Sequence, residues 1–227
     1  MKNYRIARAG RRYAGAITTL ATSALLAWSM LAGPAEATPE SDFWAWFGQN
    51  DAQLYDFEVD RTAIFDRLSN EMHKVHPSLT FEFGVKKDGK REFVVSADGI
   101  REAFPWVERL VAAAPEMEHW RIVAFRPRRA PLDIQYEGLY VHADEVLARL
   151  QESGGKIGIT LYVPGYSASR RRDYIGVAFL LMDHALGEYD VETKVGEIAV
   201  RAIDDADAHA IPLAVLPQAF DKLTRKQ

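Results

Sequence analysis

The sequence predicts a single α+β domain with a largely antiparallel sheet and several packing helices, preceded by a signal peptide. Three observations carry this prediction. Two alternating runs, Leu79–Phe83 and Glu92–Val95, flank Asp88-Gly89, a dipeptide suited to a tight hairpin. Apolar residues recur at helical spacing in segments bounded by caps and prolines. The chain also opens with a basic, then apolar, then small-residue pattern.

That opening holds Lys2, Arg5, Arg8, Arg11 and Arg12, an apolar run from Ala14 to Ala32, and Ala35 and Ala37 as the small residues of an A-x-A exit. We therefore expect a signal peptide over residues 1–37, cleavage after Ala37, and a periplasmic or secreted protein. An uncleaved anchor would instead hold it on a membrane, and translation from Met30 would leave it cytoplasmic. Removing residues 1–37 takes away five cations and one acid, so the net charge falls from −4 to about −8. A body this acidic repels phosphate backbones, which argues against nucleic acid as a partner. The chain has no cysteine. A thiol nucleophile, an iron–sulfur centre, a structural disulfide and a lipoprotein anchor are thereby excluded.

The rest of the chain divides into a domain over residues 38–202 and a tail over residues 203–227, loosely attached and containing a short helix. Ser41 and Asp42 cap a first helix through Gly48, loaded with Phe43, Trp44, Trp46 and Phe47, an aromatic set that belongs in a core. Asp60 caps a second helix to Val75, in which Ile64, Phe65, Leu68 and Met72 share a face; Pro77 ends it. The hairpin around Asp88-Gly89 follows. A third helix runs from Phe104 to Ala114, with Pro105 tolerated in its first turn. Strands are expected at Arg121–Phe125, Leu132–Tyr136 and Leu139–Val141, then a helix over Ala143–Gln151. Lys156–Val163 alternates as a strand with one buried face. Asp173 caps an apolar helix to Leu186, closed by Gly187, and Glu188–Val200 reads as extended. No internal repeat is apparent.

Several segments carry a resemblance. They are Phe43-Trp44-Ala45-Trp46-Phe47, the run from Gly89 to Gly99 (GKREFVVSADG), Trp120–Arg126 (WRIVAFR), and Ala185–Gly196 (ALGEYDVETKVG). Together, over about Phe43 to Val200, the chain resembles a bacterial family of unknown function. The resemblance implies no activity, cofactor or compartment.

Candidate chemistry is sparse. Gly165-Tyr166-Ser167-Ala168-Ser169 falls one glycine short of a nucleophile elbow, and Asp204, Asp205 or Asp207 and then His209 follow in the order such a site needs. Glu188, Asp190 and Glu192 are spaced by two, so an extended chain would put three carboxylates on one face, where they could hold calcium or another hard cation. Two cationic turns, Arg126/Arg128/Arg129 and Arg170/Arg171/Arg172, could converge on an anion or pair with that acidic strand. No phosphate loop, dinucleotide fingerprint or H-x-x-x-H spacing is present. Two readings follow. The preferred one is an exported, non-catalytic binding or interaction protein for an unknown protein or a small anionic ligand, with no cofactor required. The alternative is a hydrolase, serine-type at Ser167 or divalent-cation-dependent at Glu188/Asp190/Glu192.

Overall fold

The computed structural model describes residues 37–225, and from Thr38 onward the chain forms one compact unit. The expected signal peptide lies outside the described residues, apart from Ala37. Helix α1 (Pro39–Gln49) starts one turn earlier than predicted, because Thr38 and Ser41 exchange side-chain and backbone hydrogen bonds in a capping box and Pro39 suits the first turn. A short α2 (Asp51–Tyr55) leads to α3 (Arg61–Val75), whose cap Asp60 accepts from the Ala63 N–H as expected.

The predicted hairpin is β1 (Thr80–Lys87) with β2 (Lys90–Ser96), antiparallel, with Lys87 opposite Lys90. Both turn residues, Asp88 (φ 53°) and Gly89 (φ 75°), are left-handed, as a two-residue turn matched to strand twist requires. Helix α4 (Phe104–Ala112) then crosses over to β3 (Trp120–Ala124), which runs parallel to β2. Phe43, Trp44 and Phe47 of α1, Leu68 and Met72 of α3, Val107 and Leu110 of α4, and Phe93 and Trp120 of the sheet form one buried cluster. The aromatic first helix is therefore core, and the Trp44 indole donates to the Leu110 carbonyl at 2.7 Å.

A small hairpin, β4 (Ile134–Tyr136) and β5 (Leu139–Val141), matches expectation. The segment predicted as a helix over 143–151 does not form one. A 3₁₀ turn at Ala143–Glu145 gives way to β6 (Leu147–Ser153), which pairs antiparallel with β7 (Lys156–Val163) across Gly154-Gly155. Ala148 and Leu150 then face the core while Arg149 and Gln151 face out, an alternation that only the pairing to β7 selects.

Helix α5 (Arg171–Leu186) begins two residues before Asp173, which sits in its first turn rather than at its cap. The stretch after Gly187 is also not extended: α6 (Glu188–Lys194) precedes β8 (Val195–Ala202), which lies parallel to β7. The tail is not loosely attached. Strand β9 (Ile211–Pro212) pairs with β6, and α7 (Leu216–Thr224) buries Leu216 and Phe220 in the second core cluster beside Ile159, Leu161 and Val177. Helices and mostly antiparallel strands in sheets β1-β2-β3, β4-β5 and β8-β7-β6-β9 make the fold α+β.

The architecture contains a repeat that the sequence hid. The sequence β1-β2-α4-β3 and the sequence β6-β7-α5-α6-β8 both build an antiparallel hairpin, a helical crossover and a third strand parallel to the second. Their hairpins even share the same turn geometry, with Gly154 (φ 59°) and Gly155 (φ 77°) matching Asp88 and Gly89.

Candidate functional site

Three places concentrate polar groups, and the first two have opposite characters. The first is a closed joint between the repeated halves. Glu188, at the start of α6, is fully buried. Its Oε1 accepts from the backbone N–H of Ala97 (3.0 Å) and Gly99 (3.2 Å), and its Oε2 from that of Arg126 (3.0 Å). The Glu188 N–H in turn donates to the Arg126 carbonyl at 3.0 Å. Gly187 makes this approach feasible. Its backbone (φ 80°, ψ 148°) is open essentially to glycine alone, and a Cβ there would stand 3.2 Å from the Arg126 carbonyl.

The arginine turn after β3 serves this joint. Arg126 reaches Glu82 at 2.5 Å and Asp98 at 2.9 Å; Arg128 reaches Asp190 at 2.6 Å and Asp221 at 2.9 Å; Arg129 reaches Glu92 at 2.6 Å. Burial pushes the Asp183 carboxyl up to about 7; neighbouring Glu188, Glu192 and Asp98 push the same way, and Arg126 only partly offsets them. Burial likewise raises Glu192 and lowers His184, whose Nδ1 is buried without a hydrogen-bond partner.

These contacts settle where the predicted site residues lie. The three carboxylates do not line one face, because the segment is helical and a spacing of two turns them apart. Glu188 is filled by backbone donors, and Asp190 is held by Arg128 and Lys194. The two cationic turns do not converge. Arg126, Arg128 and Arg129 are occupied by carboxylates of the chain, and Arg170 pairs with Asp173 and the Glu137 carbonyl. Arg171 and Arg172 stay exposed. Ser167 is exposed after β7 with its Oγ on that of Ser169 at 2.8 Å, while His209 is bound through its backbone to Asp207. No hydrogen bond joins Ser167 to His209 among the described residues.

The second place is open. Opposed residues on paired strands share a face, so Arg149, Gln151 and Ser153 of β6 stand beside Thr160, Gly158 and Lys156 of β7 on the outer side of the second sheet. With Glu197, Ala199 and Arg201 of β8 they line a concavity of about 710 Å³. Gly158 creates its floor, since the middle position of the middle strand there carries no side chain. Arg149 is tied to Asp207 at the rim, whereas Lys156 forms no ion pair among the described residues. The sequence reading missed this surface: alternation in β7 marked its inner face, but the concavity depends on the register of three strands.

A third cluster, Asp133, His142 and Asp144, also escaped the sequence reading. It is exposed. Asp133 accepts from the Ala143 N–H at 3.0 Å, the Tyr140 hydroxyl at 3.1 Å and His142 at 3.1 Å, which hold its carboxyl below the usual range. Those bonds fasten the turn after β5.

Among the described residues no helix is long and apolar enough to cross a membrane. Comparison of the chain with family models, curated proteins and solved structures yields no match.

Proposed function

We propose that this chain is an exported, non-catalytic binding protein whose ligand seat is the outer face of the second sheet. The observation that supports it most is the pairing of an open, polar concavity of about 710 Å³ with the absence, among the described residues, of any nucleophile–base hydrogen bond at Ser167. A binding seat needs a concave surface with a few placed polar groups; a hydrolase needs those groups coupled to a base. Lys156, Gln151 and Thr160 offer donors around the Gly158 floor for the anionic group of a small polar ligand, while Glu197, Asp205 and Asp207 line the same concavity. Export rests on the basic, apolar and small-residue pattern of residues 1–37.

Citrate serves as the test ligand. Titration followed by amide NMR should perturb Gly158, Thr160 and Gly196 in a saturable way, and Gly158→Leu should abolish the effect while leaving the melting temperature close to wild type. Unperturbed amides on this face would remove the anionic seat. Stoichiometric labelling of Ser167 by a fluorophosphonate would replace the binding reading with the hydrolase. Mass spectrometry of the protein recovered from its host should find an N-terminus at Thr38; intact Met1 would contradict export by cleavage.

A further inference from the structure

We propose that the free edge of β8 is the seam of a symmetric dimer, in which two copies of this chain pair β8 antiparallel about Ala199, so that Glu197 of each copy faces Arg201 of the other. The inference does not depend on the ligand seat proposed above. An edge strand presents unpaired N–H and C=O groups and is a template for another strand unless something blunts it. Among the described residues, the three- and four-stranded sheets have four such edges, and all but one are blunted or committed.

Strand β9 is two residues long and ends in Pro212. Strand β3 carries Arg121 as its one charge and no acid to answer it across a two-fold axis. Strand β1 has an acid and a base four apart, Glu82 and Lys86, but Glu82 is held by Arg126 and Lys86 by Asp56. A register shift between Phe83 and Lys86 also breaks the edge between them.

Strand β8 differs in its free charges. It spans eight residues at the end of its sheet, and its register shift lies between Val195 and Ile198, at Glu197 itself, leaving Ile198–Ala202 regular. Glu197 and Arg201 are both exposed, line the same face with Ala199, and form no ion pair among the described residues. In an extended strand they stand about 13 Å apart, too far to meet each other. Antiparallel pairing about Ala199 brings each opposite its counterpart's complement, at the short separation of directly opposed residues. The same register sets Ile198 against the other copy's Val200 on the inner face, where Val200 is already buried and Ile198 packs against the core. Charges of one sign would blunt an edge by self-repulsion; opposite signs placed symmetrically about a small residue instead specify self-pairing.

Sedimentation velocity on the purified full chain over a wide concentration range tests this. The wild type should show a reversible monomer–dimer equilibrium. Glu197→Arg and Arg201→Glu should each raise the dissociation constant by roughly tenfold or more, since both contacts become like-charged. Circular dichroism should show both variants folded. An equimolar mixture of the two single variants restores complementary pairs and should recover association, as should the doubly exchanged chain. A wild type that stays monomeric at its highest soluble concentration would overturn the proposal. So would single variants that associate as the wild type does, or a mixture that recovers nothing.

Discussion

The two halves of the repeat share a topology and a turn, yet they are filled and covered in different ways. Aligning their hairpin turns sets Arg91 beside Ile157, Phe93 beside Ile159, Val94 beside Thr160 and Ser96 beside Tyr162. In the first half the inner face is aromatic. Phe83, Phe93 and Trp120 pack with Phe43 and Phe47, and the buried Arg91 guanidinium lies 4.4 Å from the Phe57 ring centroid and 2.5 Å from Glu58. Its crossover helix has only nine residues, so α1 and α3 supply the remaining bulk. In the second half a 16-residue helix and α7 cover an aliphatic face of Ile157, Ile159 and Leu161. The outer faces diverge further. Val94 and Ser96 are fully buried, and Glu82 and Glu92 on that side are held by the arginine turn. The second sheet keeps its outer face open. One half is thus closed by the other, and the second half is left with an open outer face.

If closure of the first half depends on the joint, breaking the joint should separate the halves. Glu188→Ala leaves three backbone N–H groups, one buried and two half-buried, without their acceptor, and should cost about 3–5 kcal/mol of unfolding free energy. Urea titration followed by circular dichroism should register the loss, and hydrogen exchange should show Ala97 and Gly99 losing protection. A cost below about 1 kcal/mol would mean that packing alone unites the halves.

A smaller effect is expected one residue earlier. Gly187→Ala forces a side chain into a backbone region that disfavours it and toward the Arg126 carbonyl. About 2 kcal/mol should be lost. The same change at Gly155, where the added Cβ meets nothing, should cost less, because only the turn is strained. Equal losses would show that the close approach at the joint contributes nothing.

The last effect concerns pH. Asp183 titrates near 7 in the folded chain against 3.8 for the free side chain, so the folded state binds the extra proton between those values. Its contribution to stability is complete below about pH 4, declines as pH rises toward 7, and is constant above that. Asp183→Asn should flatten this slope and stabilise the protein above pH 7 relative to wild type. Melting temperatures at pH 5 and 8 would reveal it. A wild-type profile with no decline across this interval would contradict the burial assigned to Asp183.

Much of this fold was legible. The hairpin at Asp88-Gly89, α3 with its Asp60 cap and the aromatic core helix follow from local chemistry, and local chemistry prevailed there. It failed where tertiary pairing decides. The segment Ala143–Gln151 is rich in helix formers, but Ala148 and Leu150 are worth more to the fold as the inner face of β6. Glu188, Asp190 and Glu192 read as a strand because their spacing is two. The fold instead uses Glu188 as a buried acceptor, a role set by Ala97, Gly99 and Arg126, far away in the chain. The repeat was hidden for a related reason: where one half is aromatic the other is aliphatic, so only the turn and the strand alternation are in common. The arginine turn was visible, and its pairing with acids was one expected outcome. Which acids it would meet was not readable from the sequence.

The tryptophans are distributed unevenly between the halves. Trp44, Trp46, Trp106 and Trp120 all belong to the segment that builds the first half, Trp28 lies outside the described residues, and none occurs after Trp120. Among the described residues, emission excited at the indole red edge therefore reports the first half, while Tyr162, Tyr166 and Tyr174 are built into the second. Native chains thus carry a built-in optical label that distinguishes the halves. Unfolding followed at the two wavelengths would tell whether they melt together or in sequence, with no dye or substitution introduced.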